Sequence, residues 1–96
     1  MDDANGYVLK LFVTGATPNS VRAVTNIRAI CEKYLDGQYS LEIIDIYNDK
    51  EVAVREKLVA LPMLLKMKPS PVRRLIGDLS KTQKVLEALG INEMIS

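Results

Sequence analysis

The chain has 96 residues, 13 Lys plus Arg against 12 Asp plus Glu, and a net charge of +1. That leaves room for one core and one site or docking surface, and no global field to draw the protein onto nucleic acid or an anionic membrane. At 48% hydrophobic and 26% charged residues the composition is that of an ordinary globular protein, read as one domain over 1–96. There is no histidine and one cysteine, Cys31, so the commonest general base and metal ligand is missing and an internal disulfide is excluded. Most enzyme mechanisms are therefore unexpected, and no metal or cofactor is called for. Apolar runs such as Leu61 to Leu65 are too short to span a bilayer, and Met1-Asp2-Asp3 is acidic where a signal peptide needs basic residues. The cytoplasm is the expected address.

Tyr7 to Val13 is a nearly continuous apolar run ending at Thr14-Gly15, the pattern of a central parallel strand buried on both faces. A turn cluster follows at Gly15 to Ser20. Val24, Ile27, Cys31 and Leu35 then recur at three- and four-residue spacing, predicting a helix with one apolar stripe, and Gly37 is its expected stop. Leu41 to Ile46 is rich in β-branched residues and predicts a second strand, parallel to the first across a helix-length crossover.

Asn48-Asp49-Lys50-Glu51 has the spacing of a capping box and predicts a helix over roughly 49–59. Leu61 must lie outside it, because a residue before proline is pushed from the α region. Met63 to Met67 reads as a short strand, Lys68 to Pro71 as a turn and Val72 to Gly77 as an antiparallel partner strand. Ser80 to Gln83 is a second capping box, opening a helix with Val85, Leu86 and Leu89 that Gly90 closes. The predicted order is βαβαββα. Local propensity opposes it in two places: Met63 to Met67 are helix formers, while Val52 and Val54 favour strands.

A βαβαββα order with a proline before the third strand, here Pro62, resembles the thioredoxin fold: α/β, three layers and a mixed sheet. Its redox members carry two cysteines at the turn before the first helix, and Thr17-Pro18-Asn19-Ser20 stands there in this chain. Neither hydroxyl ionises near neutral pH, so thiol–disulfide exchange at that turn is excluded. Three segments, Tyr7 to Val13, Thr17 to Ala23 and Pro71 to Ser80, resemble the KaiB family, with the likeness running over about 7–89. A related sensor domain, that of the kinase SasA, is the main alternative, and a chain ending at Ser96 with no kinase attached favours KaiB.

The resemblance implies a non-catalytic adaptor that binds the N-terminal ring of a KaiC-type ATPase, with KaiA as a further partner where it exists. It also implies a second, ground-state fold, dimeric or tetrameric, with the second half rearranging; Pro62, Pro69, Pro71 and Ala88 are the positions this touches. By position, Tyr7, Arg22, Ser40, Glu42, Lys57, Arg73 and Arg74 match the family's partner-facing surface. Glu42 replaces a lysine typical of cyanobacterial members, and alanine replaces their typical glycine at Ala88, which favours the helical arrangement by roughly 1 kcal/mol. These departures suit a divergent, non-circadian branch.

Several residues carry a plainer reading as well. Arg73 and Arg74 with Lys66 and Lys68 form either a docking patch or a solvated edge that discourages strand pairing. Cys31 is either a small core residue or the centre of a redox or stress-sensing role. Asp45 and Asp78 read as turn or capping residues, and Thr17 to Ser20 as a loop and helix cap.

Overall fold

In the computed structural model, residues 6–57 and 60–91 are described. The elements are β1 (Tyr7–Val13), α1 (Pro18–Tyr34), β2 (Tyr39–Asp45), α2 (Lys50–Arg55), β3 (Met63–Lys68), β4 (Arg73–Ile76) and α3 (Thr82–Leu89). The predicted order holds throughout. The strands form one mixed sheet in the order β2-β1-β3-β4, with β1 parallel to β2 and antiparallel to β3, and β3 antiparallel to β4.

Period-two alternation along β1 divides the core. Leu9, Leu11 and Val13 face a cluster built with Ala23, Ile27, Ile30 and Cys31 of α1 and Val85, Leu86 and Leu89 of α3. Phe12 points to the other side and packs with Val52 of α2 and with Met63 and Leu65 of β3. Two helices thus cover one face of the sheet and α2 part of the other, giving three layers, and β1 is buried on both faces as its unbroken apolar run requires.

The second half resolves against local propensity. Met63 to Met67 pairs with both β1 and β4 despite its helix-forming residues, because Met63, Leu64 and Leu65 each bury a side chain on one or the other face. The peptide bonds Leu61-Pro62, Lys68-Pro69 and Ser70-Pro71 are cis. Pro62 is buried, while Pro69 and Pro71 are exposed at the turn between β3 and β4.

Three local expectations need correction. Neither capping box forms: the N-caps are Asp49 for α2 and Lys81 for α3, and no side chain caps either helix. The second helix is shorter than 49–59. It ends at Arg55, Lys57 turns to a left-handed φ of 56°, and residues 58–59 lie outside the described residues. The first helix stops at Tyr34 rather than at Gly37, with Leu35 as its C-cap. Gly90 does close α3 as expected, in the left-handed conformation at φ 75°.

Candidate functional site

The turn before α1 is held by hydroxyls. Thr17 occupies the N-cap position, but its hydroxyl makes no cap hydrogen bond; it donates to Ser20 Oγ at 2.9 Å. Ser20 Oγ also accepts the Thr14 backbone N–H at 3.1 Å, and the Thr14 and Thr17 hydroxyls lie 3.3 Å apart. Ser20 is 1% exposed. The closed net of three hydroxyls satisfies itself and holds no group that ionises near neutral pH. What would be a redox turn is here a structural clasp.

Asp45 joins that turn to the next one. Its Oδ1 accepts the Gly15 N–H at 3.0 Å and the Tyr47 N–H at 2.9 Å, so the end of β2 fixes both the β1–α1 and β2–α2 connections. The turn reading of Asp45 is correct, and so is that of Asp78, whose Oδ1 accepts the Ser80 N–H at 3.0 Å. Asp78 does more than turn the chain. Its Oδ2 accepts from Arg22 Nε at 3.2 Å, and its backbone carbonyl accepts from Asn26 Nδ2 at 2.8 Å, pinning the β4–α3 loop to α1. The hydrogen bonds to its carboxylate, those from Ser80 first and then that from Arg22, hold the Asp78 carboxyl below its ordinary value.

The residues matched to a partner-facing surface fall in five places. Arg22 is exposed on the first turns of α1, where it also donates to Asn19 Oδ1. Ser40 and Glu42 are exposed on β2, an edge strand. Glu42 lies in register with Lys10 of β1, so the carboxylate stands across from a cation of the same sheet. Lys57 and Arg74 line an open hollow of about 260 Å³ whose floor is Ala60, Met63 and Ile76. Arg74 Nη1 also donates to the Glu56 carbonyl at 3.0 Å, which anchors the end of α2 to β4. Arg73 points to the other face, beside Leu75, Lys84, Glu87 and Ala88 around a second hollow of about 270 Å³. Tyr7 stands apart: it is half-buried and its hydroxyl donates to the Leu89 carbonyl at 2.9 Å, tying β1 to the end of α3.

Lys66 does not belong to an exposed basic patch with Arg73, Arg74 and Lys68, because it is only 4% exposed. Its position on β3, two residues from Leu64, puts it on the face covered by α1 and α3. Cys31 is fully buried between α1 and the sheet, and burial first, then the charge of Glu32, pushes its thiol up to about 11. A thiol so sealed and so weakly acidic is a core group, and a redox role for it has no support. Sequence spacing missed Ser20, Ala23 and Ile30, all buried on α1; the helical period that placed Ile27 and Cys31 also places Ile30, and Ser20 and Ala23 once small residues are counted.

No helix among the described residues is long and apolar enough to cross a membrane, and among them no group of three or more Cys, Asp or Glu residues is placed to hold a metal ion.

The KaiB domain family model matches residues 10–91. The circadian clock oscillator protein KaiB of Thermostichus vulcanus is 49% identical over 85 residues, covering 88% of this chain and 79% of that protein. The KaiB of Prochlorococcus marinus strain NATL2A is 45% identical over 91 residues, covering 95% and 85%. Among solved structures, the N-terminal domain of Synechococcus elongatus SasA superposes with a TM-score of 0.64 at 28% identity, over 97% of this chain and 91% of that domain. Chloroplastic thioredoxin z superposes with a TM-score of 0.75 at 18% identity, over 90% and 77%, a likeness of fold alone.

Proposed function

The chain belongs to the KaiB family, and from that premise we propose that it is a non-catalytic cytoplasmic adaptor that docks on the N-terminal ring of a KaiC-type ATPase and changes that ATPase's phosphorylation state, in circadian or stress signalling. The observation that carries this reading is the hydroxyl clasp of Thr14, Thr17 and Ser20 at the mouth of α1. A thioredoxin-like scaffold with no thiol at that turn keeps its surfaces and loses its electron transfer.

Docking uses Arg22, Lys57, Arg73 and Arg74 as cations for acidic groups of the partner, with Tyr7, Ser40 and Glu42 completing the surface. Arginine suits this because its planar fork grips a carboxylate through two hydrogen bonds. Where KaiA exists it is a further partner. Pro62, Pro69, Pro71 and Ala88 then lie in a segment that exchanges between this fold and an oligomeric ground state. Mixing the purified protein with the KaiC-type ATPase of the same organism should give a co-migrating complex. Its absence in every nucleotide state overturns the proposal.

The likeness to the SasA N-terminal domain favours one second reading, a free-standing sensor module that signals to a kinase. A histidine-kinase gene beside this one, with no separate KaiB in the genome, would select it.

A further inference from the structure

Lys66 is the one charged side chain in the described core, at 4% exposure. Among the described residues it makes no hydrogen bond or ion pair, yet no fully buried side-chain nitrogen or oxygen is left without a partner. Both statements hold only if the four-carbon stem is covered and the amine itself reaches solvent. Its neighbour on the outer side of the sheet is β4. Arg73 is the register partner of Lys66 across the β3–β4 ladder, on the same face of the sheet, and the arginine's charge is felt at the amine, second to burial in holding its proton affinity down.

Arg73 is itself exposed and without a hydrogen-bond or ion-pair partner among the described residues. It lines the hollow of about 270 Å³ between β4 and α3, with Lys84 on the helix side and Glu87 as the hollow's one acidic group. Two cations side by side, one with its stem buried and neither in an ion pair among the described residues, raise the free energy of the folded chain. An incoming anion would relieve that repulsion without having to break an existing ion pair first.

We propose that Lys66 and Arg73, cross-strand partners on one face of the sheet, form a binding site for a doubly charged oxyanion of the phosphate type, next to the hollow that Arg73 lines between β4 and α3. A dianion neutralises both cations at once. The guanidinium offers two parallel donors to two of its oxygens and the amine a donor to a third, an arrangement suited to a tetrahedral group. A monovalent carboxylate leaves one cation unanswered and binds more weakly. The site is a property of the isolated chain and does not depend on a partner ATPase, so its test is independent of the docking experiment.

The test is the side-chain NMR spectrum of the full chain carrying 13Cε-lysine, followed as inorganic phosphate replaces chloride at constant ionic strength. The Lys66 resonance should move along a saturating curve while the exposed lysines move little. Arg73→Gln should raise the half-saturating phosphate concentration by about tenfold, the loss of one charge-assisted contact, and acetate should bind more weakly than phosphate. Lys66→Met, which keeps an apolar stem, should abolish the rise in melting temperature that phosphate produces over chloride; if that variant does not fold, the exposed Arg73→Gln carries the comparison alone. A parallel titration with O-phosphoserine separates the sources: binding equal to that of phosphate means the site admits a phosphoryl group carried on a larger molecule, and weaker binding means it takes the free ion. Lysine resonances that all move together in proportion to phosphate, or a Lys66 signal unmoved beyond its response to chloride, overturn the proposal.

Discussion

Arg22 Nε and Asp78 Oδ2 meet at 3.2 Å across 56 residues of sequence, joining the first turns of α1 to the loop before α3. The guanidinium side chain is 55% exposed and the carboxylate 27%, so the pair orients Arg22 more than it stabilises the fold. Arg22→Ala should leave the thermal midpoint little changed and weaken complex formation with a KaiC-type ATPase by about tenfold or more, the cost of one charge-assisted contact. Calorimetry on the free protein and a binding titration separate the two effects. An Arg22→Ala protein that binds normally removes Arg22 from the docking surface.

The Asp78 carboxyl lies below its ordinary value of 3.8, through its hydrogen bonds with Ser80 first and Arg22 after them. A depressed carboxylate contributes stability that is present above the unfolded-state value and is lost as pH falls through the lower folded-state value. Melts taken from pH 7 down to pH 2 should therefore show an acid-side loss below about pH 4 that is shallower in Asp78→Asn. Equal slopes for the two proteins would mean that these bonds do not outlast solvent screening.

Gly15 has a φ of +58°, and a β-carbon there would lie 3.3 Å from the ring of Tyr47. Gly15→Ala should cost about 1–2 kcal/mol from the left-handed backbone alone, with crowding against the ring added. Combining it with Tyr47→Ala should recover the crowding part and leave the backbone part. Urea unfolding of the two single variants and the double one measures both.

Tyr7→Phe removes the hydroxyl that donates to the Leu89 carbonyl at 2.9 Å, leaving a part-buried acceptor unpaired at a cost of about 1 kcal/mol. The loss should be local. Amide exchange at Gly90 and Ile91, whose N–H groups bond to Glu87 and Leu86, should quicken while β1 stays protected.

Cys31 should resist iodoacetamide at pH 8 in the native state and react only on unfolding, because its thiol is fully buried and raised to about 11. Cys31→Ala should bind a KaiC-type partner as the parent does. Rapid native-state labelling would reopen a redox role for this residue.

The sequence by itself determined the order of elements, the parallel first pair of strands, the antiparallel hairpin and the loss of redox chemistry at the turn before α1, because each rests on local patterns: period two or 3.6, a proline, a pair of hydroxyls. Tertiary structure decided what depends on neighbours far along the chain. Burial on both faces of a sheet overrode the helical preference of Met63 to Met67, and packing set the helix ends where the two capping boxes suggested otherwise. Arg22 meets Asp78 and Tyr7 meets Leu89 only once α1, α3 and the sheet are stacked. Lys66 shows the difference most plainly: among its neighbours in sequence it reads as one more surface cation, and the strand register alone puts its stem in the core beside Arg73.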